Sequence, residues 1–323
     1  MWMQVEARRE VYQMDYECVI IGGGIAGTQA AIQLGRYAHN VLVIDAGVGR
    51  STICGSYRNV LGWPDGISGP KLREIGRKQA QSLGVSWVTD EVVEVDCQDG
   101  QFVVRTKERE LFKAVTILFA TGVMDRFPEL PNLRSCLGST MYVCPDCDGY
   151  EVKNKRTIVL GSGDTGAYMA VTLSGWTDKI IYVNHEQAPI CSELHSRLAE
   201  LRIEVVAEPI EQVLCAAEGM FSGICLANGR VITGERGFIA FGGNEVRSSL
   251  ASRLKIERLE NKHIMVDPRT KMTSVPNVWA AGDVCAHAEQ LTIAMGEGAQ
   301  AAIWIHKTIM NWRSANGDTR HLH

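Results

Sequence analysis

Cys18-Val19-Ile20-Ile21-Gly22-Gly23-Gly24-Ile25-Ala26-Gly27 is the stretch that decides the fold. A short apolar run has the length of a buried strand, glycines follow without a break, and Thr28 to Arg36 then carries apolar residues at helical spacing. Strand, tight turn and helix in that order open a dinucleotide-binding unit. Gly22, Gly24 and Gly27 allow the turn, close backbone approach to a pyrophosphate, and helix packing, while the first helical amides remain as donors. The next apolar run, Val41-Leu42-Val43-Ile44, ends at Asp45. That is about 20 residues beyond the glycines, where a carboxylate can accept from ribose hydroxyls.

The pattern returns later in the chain. Thr157-Ile158-Val159-Leu160 leads into Gly161-Ser162-Gly163-Asp164-Thr165-Gly166 and a helical stretch from Ala167 to Leu173. The architecture is therefore duplicated, and the fold class is α/β with two Rossmann-like three-layer domains. The second strand of the repeat, Ile180-Ile181-Tyr182-Val183, ends at Asn184-His185-Glu186, with no arginine to clamp a 2'-phosphate and with a glutamate that would repel one. Two readings stand for this half: an NADH site, or a Rossmann scaffold that binds nothing.

At 323 residues the chain is long enough for about two domains. With 46% hydrophobic residues, 22% charged residues and a net charge of -4, it has the composition of an ordinary globular protein. No basic arm points to nucleic acid. Its apolar runs fall well short of the roughly 20 residues that span a bilayer, so no membrane segment is expected. Met1 to Tyr16 carries Glu6, Arg8, Arg9, Glu10 and Asp15 and lacks an apolar signal core. It reads as a short lead-in to a cytoplasmic protein.

Ten cysteines are spread along the chain, and in a large cytoplasmic protein scattered cysteines are expected to be packing residues. The exception is Cys144-Pro145-Asp146-Cys147, followed at once by Asp148. A structural zinc site needs four ligands, and no second close Cys or His pair completes one; no metal is expected. As a redox pair, the two thiols can close a small disulfide, one attacking a partner disulfide while the other resolves it. Asp148 can then move protons as thiols form and leave, or it is a solvated loop acid. Further on, Val278-Trp279-Ala280-Ala281-Gly282-Asp283 reads as a late strand ending in an acid, and Gln290-Leu291 opens a helix rich in small residues. Asp283 and the amides near Gln290 and Leu291 suit the ribityl chain and the electron-rich ring edge of a flavin. A turn acid and a core helix is the alternative.

Taken together, the first fingerprint with Asp45, Tyr57 to Gly69 with Trp63-Pro64, Ala120-Thr121-Gly122, Cys144 to Gly149, the second fingerprint and Gly282-Asp283-Val284 make the chain resemble the low-molecular-weight thioredoxin reductases over nearly its whole length. The resemblance implies FAD in a discontinuous domain, residues 1–124 and 247–323, with an NAD(P)-binding-like domain, residues 125–246, inserted and carrying the cysteine pair. It implies Cys147 as the thiol nearest the flavin, Cys144 as the interchange thiol that attacks thioredoxin, Asp148 as the acid-base residue, and a homodimer. Where NADPH-using members carry a histidine, two arginines and a later arginine, this chain has Asn184, His185, Glu186 and Ile190. It therefore resembles the branch without pyridine-nucleotide motifs, for which reduced ferredoxin is a candidate donor. An NADH-driven reductase, a dithiol oxidase using oxygen, and a non-enzymatic flavin redox sensor are the competing readings. The tail from Asn311 to His323 reads as a terminus without a core of its own, from which the ring of Trp312, His321 or His323 can cover the flavin.

Overall fold

The computed structural model describes residues 13–286 and 288–317. The chain divides into two compact units: Met1–Ser51, Leu72–Val123 and Val246–His323 form one, and Thr52–Lys71 with Met124–Glu245 the other. Thr52–Lys71, which the sequence reading leaves in the first domain, groups with the second unit. Its backbone is tied there by Gly55 N donating to Gly138 O at 2.8 Å, and it folds back on itself where Tyr57 pairs with Ile67.

In the first unit, β1 (Gln13–Ile21) runs into α1 (Ile25–Arg36) and β2 (Val41–Ile44). The short α2 (Arg50–Ile53) and α3 (Gly69–Ser82) precede β3 (Ser86–Val88) and the meander β4 (Val92–Gln98), β5 (Gln101–Thr106) and β6 (Leu111–Phe119). The sheet order is β3-β2-β1-β6-β5-β4. The long β6 serves two neighbours on one side: β5 antiparallel along its first half, and the late strand β17 (Val278–Ala280) parallel along its second. Parallel strands covered on both faces must be apolar on both faces, which is why β1 and β2 read as unbroken apolar runs. Val19, Ile21, Leu42 and Ile44 pack into one core, while Cys18, Ile20, Val41 and Val43 pack into the opposite one under α1 and the closing helix α9 (Leu291–Ala315). The small residues of α9, including Ala294, Ala301 and Ala302, are buried, and this helix packs against α1.

The second unit has its own parallel sheet, ordered β11-β10-β9-β15-β8. Its strands are β8 (Met141–Tyr142), β9 (Thr157–Gly161), β10 (Ile180–Asn184), β11 (Glu204–Val206) and β15 (Arg236–Ala240). An antiparallel sheet of β12 (Ile210–Ala217), β13 (Met220–Leu226) and β14 (Val231–Thr233) lies in the same unit. The helices are the single turns α4 (Leu133–Cys136) and α5 (Pro145–Asp148), then α6 (Gly163–Leu173) and α7 (Ser192–Glu200). The chain leaves the first unit at β7 (Val123–Met124) and returns at β16 (Glu245–Val246), two strands that pair with each other, before α8 (Ser249–Arg253). Among the described residues no helix is long and apolar enough to cross a membrane.

Both chain ends differ from the sequence expectation. β1 already begins at Gln13 and Tyr16 is buried, so the lead-in is part of the sheet by that point. Helix α9 continues to Ala315, which makes Asn311–Ala315 helical rather than a coreless tail; His321 and His323 lie outside the described residues. The reason is an ion pair that the local sequence does not announce. Arg313, 6% exposed, donates to both carboxylate oxygens of Glu17 at the start of the sheet core, and the Asn40 amide donates to Glu17 Oε2 at 2.9 Å. His39 Nδ1 lies 3.3 Å from the same oxygen, its Nε2 is 2.8 Å from His306 Nδ1, and Tyr37 stacks on His306.

Burial by itself would raise the Glu17 carboxyl, but His39, Arg313 and the Asn40 amide outweigh it and hold the group at about 2. A depressed carboxylate stabilises the fold fully above its unfolded value of 4.5, and that contribution disappears as pH falls toward 2. Arg313→Ala is expected to cost about 3–5 kcal/mol in urea unfolding at pH 7, because it strands a buried carboxylate. The stability gap between the wild type and Glu17→Gln should shrink as the pH is lowered through that window; a gap independent of pH would refute the assignment.

Candidate functional site

In the first unit the glycine turn seats α1 directly on the end of β1. Gly22 has φ of 104°, and a β-carbon on Gly27 would lie 1.9 Å from the Gly22 carbonyl oxygen, so both positions require glycine. Gly24 is the N-cap of α1, with no side chain capping the helix and no acid in its first turn. The first-turn amides are thus presented as anion donors. Asp45, buried at the end of β2, accepts from the amides of Gly23 and Gly47 through Oδ1, both at 3.2 Å, while Oδ2 receives Arg73 at 2.7 Å. Arg73 also donates to Ser51 Oγ at 3.2 Å. The indole of Trp87 packs beside Gly23, and its buried Nε1 has no hydrogen-bond partner.

The remaining first-unit candidates lie at the ends of neighbouring strands. Ala120 N donates to Ile21 O at 2.8 Å, which places the Ala120-Thr121-Gly122 turn beside the first fingerprint. Thr121 Oγ1 donates to Arg247 O at 2.5 Å, and Gly122 O accepts from Arg247 N, so these two residues also fix the returning chain. Asp283 follows β17 and is half-buried, with Arg50 Nη1 3.4 Å from Oδ2; the same guanidinium donates to Glu289. Its turn is held by Glu297, whose buried carboxylate accepts from Gly282 N at 2.9 Å and from Lys271 Nζ at 2.7 Å. Gln290 is the N-cap of α9 with no side-chain cap, and Leu291 is buried.

This donor and acceptor set fits a flavin dinucleotide. The uncapped start of α1 suits the pyrophosphate, Asp45 and Asp283 suit polyol hydroxyls, the start of α9 suits an electron-rich ring edge, and the orphaned Trp87 Nε1 is a donor awaiting an acceptor. Arg50, Arg73, Trp87 and Glu297 were not singled out by the sequence reading. They reach the site from α2, α3, β3 and α9, and no local motif marks them.

The second fingerprint is built on the same plan but is differently occupied. Asn184, in the place of Asp45, accepts from Gly163 N at 3.0 Å and donates to Ala188 O at 2.8 Å. Cys191 N donates to Asp164 Oδ1 at 2.7 Å, in the first turn of α6. The 187–191 loop is thereby tied onto the glycine turn: a β-carbon on Gly163, where φ is 50°, would lie 2.9 Å from Pro189 O. His185 Nδ1 accepts from Ile210 N at 2.7 Å, and burial lowers this imidazole from its ordinary value despite the adjacent Glu186. Glu186 is ion-paired with Arg126. The sequence reading found no arginine next to Glu186; the fold supplies one from a distant segment.

Cys144 and Cys147 are joined as a disulfide with their Cα atoms 5.3 Å apart, Cys144 capping the single turn α5 and Cys147 N donating to Cys144 Sγ at 3.2 Å. An amide on that sulfur steadies the charge it carries as a thiolate. Pro145 at the first helical position suits the turn, since its missing amide is one the helix leaves unpaired. Asp148 N donates to Cys144 O at 3.0 Å, which fixes the acid next to the pair. Burial, assisted by the Glu151 carboxylate, pushes Asp148 up to about 7. Glu151 in turn has Arg58 Nε at 3.5 Å. Cys54 belongs to the same surroundings, with its thiol pushed up to about 11 by burial and by Asp148. Of the cysteines outside the pair, only Cys18, Cys136 and Cys285 are fully buried, while Cys97 and Cys191 are exposed. Among the described residues no cluster of three or more His, Cys, Asp or Glu could hold a metal ion.

The family described as pyridine nucleotide-disulphide oxidoreductase matches residues 16–301. A thioredoxin reductase of Aquifex aeolicus (strain VF5) is 29% identical over 307 residues, covering 90% of this chain and 93% of that protein. Among solved structures, HlmI superposes with a TM-score of 0.85 at 25% identity, covering 96% of this chain and 97% of that one. A putative thioredoxin reductase TrxB from Bacillus anthracis gives 0.81 at 25% identity, covering 92% and 99%.

The raised carboxyl of Asp148 has a sign opposite to that of Glu17. Between 3.8 and about 7 the folded chain keeps a proton that the unfolded chain has released, so stability falls as pH rises through that window. Asp148→Asn is therefore expected to be more stable than the wild type at pH 8 by about 1–2 kcal/mol after allowance for solvent screening, and indistinguishable from it near pH 4. Denaturant unfolding at both pH values checks this, and equal stability at pH 8 would place the carboxyl in an ordinary environment.

Proposed function

Because the chain belongs to the pyridine nucleotide-disulphide oxidoreductase family and is a flavin-dependent disulfide oxidoreductase, we propose that it reduces thioredoxin or a similar protein disulfide, with FAD as the flavin and Cys144 and Cys147 as the exchanging thiols. The observation that carries this reading is the Cys144–Cys147 disulfide with a half-buried acid beside it whose carboxyl is pushed up to about 7. FAD would be held by Gly22, Gly24, Gly27, Asp45, Ala120, Thr121, Gly122, Asp283, Gln290 and Leu291. When bound, it supplies the two electrons that open the disulfide.

Two protons must also be delivered, and Asp148 is suited to that work because a group near 7 both gives and takes a proton at neutral pH. Cys144, as thiolate, attacks the disulfide of the protein substrate, and the substrate's leaving sulfur takes a proton. Cys147 then attacks the mixed disulfide at Cys144, releasing the substrate dithiol and restoring the starting bond.

The donor in this proposal is not NADPH, and reduced ferredoxin is the candidate. Three features support it: Asn184 spends its side chain inside the turn, Glu186 consumes the charge of Arg126, and the 187–191 loop is tied across the start of α6 where a pyrophosphate would need the amides. We further propose a cytoplasmic homodimer.

Cys147→Ser is expected to accumulate a mixed disulfide between Cys144 and thioredoxin, seen as one covalent complex on non-reducing gels. Cys144→Ser should retain flavin and lose turnover, and Asp148→Asn should slow thioredoxin reduction by about 10²-fold. Loss of flavin from Cys144→Ser, or undiminished turnover, would overturn the assignment. Mixed anaerobically, reduced ferredoxin should bleach the flavin absorbance, and NADPH or NADH should not within the turnover time. Rapid bleaching by either nucleotide would establish a conventional nucleotide-driven reductase.

A further inference from the structure

In the first unit, the segment between α8 and β17 buries an imidazole with which nothing pairs. Leu259 N donates to His263 O at 2.9 Å and Lys262 N to Leu259 O at 2.8 Å, closing a tight turn, and Ile264 N donates to Val284 O at 2.9 Å. His263 is thereby fastened beside the turn that follows β17. Both of its ring nitrogens are buried and neither has a hydrogen-bond partner, although a neutral imidazole carries one donor and one acceptor and buried polar groups are ordinarily paired. The carboxylate it faces is that of Glu289, whose Oε1 lies 3.5 Å from His263 Nε2, too far for a bond. Glu289 immediately precedes Gln290, the N-cap of α9, and its other oxygen accepts from Arg50, whose Nη1 also lies 3.4 Å from Asp283 Oδ2. Asp283, Arg50, Glu289 and His263 thus form a row from the turn after β17 to the start of α9. With a neutral imidazole the row carries one excess negative charge, and with an imidazolium it is neutral. The neighbouring groups do not change that count: Arg258 is spent on Ser248, Lys262 is exposed, and burial keeps the Cys285 thiol protonated.

We propose that His263 takes up one proton for each pair of electrons that enters the flavin, closing on Glu289 as an imidazolium. The proposal rests on the flavin assigned to the first unit, whose electron-rich ring edge the start of α9 suits. Reduction adds negative charge at that edge, and negative charge favours the protonated form of a nearby imidazole, the side chain that ordinarily changes charge between about pH 5 and 8. In the balanced step, two electrons pass from the donor to the flavin, one proton passes from water to His263, and no bond between heavy atoms is made or broken. The new imidazolium donates from Nε2 to Glu289 Oε1, the bond that the structure lacks, while Arg50 stays on the opposite oxygen. By linkage, a proton that binds more tightly after reduction makes reduction easier. His263 acts through Glu289 and is therefore a positioning residue, and what it sets is the pH dependence of the flavin potential.

The test uses the full flavin-loaded chain in a Cys144→Ser/Cys147→Ser background, so that the flavin is the one couple titrated. Midpoint potentials are measured spectroelectrochemically between about pH 6 and 8, with and without His263→Gln. The expected result is a steeper fall of potential with pH when His263 is present, by up to a tenfold change in the reduction equilibrium per pH unit, ~30 mV for a two-electron couple. His263→Gln should lose that increment while its oxidised flavin spectrum stays unchanged. Glu289→Gln, which removes the partner charge, should lose the same increment and serves in its place if His263→Gln does not hold flavin. Equal slopes with and without these changes overturn the proposal and leave the flavin reading intact. A purified full chain that neither carries a flavin nor binds added FAD overturns that reading, and the proposal with it.

Discussion

Helix α1 can start on the end of β1 only because nothing projects from Gly27 toward the Gly22 carbonyl. Any side chain there would occupy the volume of the backbone it faces, so the helix would have to lift off the strand. Much of the first unit's site follows from that contact. With the helix seated, its open amides come to the carboxyl edge of the sheet, the edge at which β2 delivers Asp45, β6 delivers Ala120, and β17 delivers the turn before Asp283. Parallel pairing makes all these strand ends coincide, and parallel pairing in turn requires a core on both faces. The two opposed clusters around Val19 and Ile20 satisfy that requirement. A chemical edge is thus a consequence of packing.

The two glycine fingerprints show how little of a binding site is contained in its backbone. Both give strand, turn and uncapped helix. In the first unit the residue after the second strand is a carboxylate whose contacts are amides and a guanidinium, and an aromatic donor waits beside it. In the second unit the equivalent residue is an amide that bonds to the turn and to the 187–191 loop at once, closing on itself. Both side chains bond to their own turn, so the difference is one of chemistry: a carboxylate keeps lone pairs that can accept from ribose hydroxyls, whereas the amide is neutral and tied to the loop that lies against the glycine turn. The proposal of a donor other than NADPH rests on this difference.

Features carried by nearest neighbours in the chain were legible in the sequence. The fingerprints, Asp45, Asp283, the cysteine turn and the parallel α/β class all declare themselves through period, glycine spacing or adjacency. What escaped reading joins segments that are far apart. Arg313 appeared as part of a polar tail because its partner Glu17 is at the other end of the chain. Arg126 was invisible beside Glu186 for the same reason. Glu297 looked like one polar residue in a small-residue helix, yet it supports the Gly282 turn. Each of these residues is accounted for by a partner that only the fold brings near.

In the proposed mechanism, the acid beside the cysteine pair works at a cost to the fold. Burying Asp148 next to Glu151 lowers stability at neutral pH, since the unfolded chain would ionise both freely. A solvent-facing acid at that position would spare the fold this strain, but it would be ionised at pH 7 and unable to give a proton to a departing thiolate. The unfavourable environment is what brings the carboxyl close to working pH. The Glu17 network runs the opposite way, with partners that outweigh burial and keep the carboxylate charged. Within one chain, then, burial is compensated at the carboxylate that holds the fold together and left uncompensated at the one proposed to move a proton.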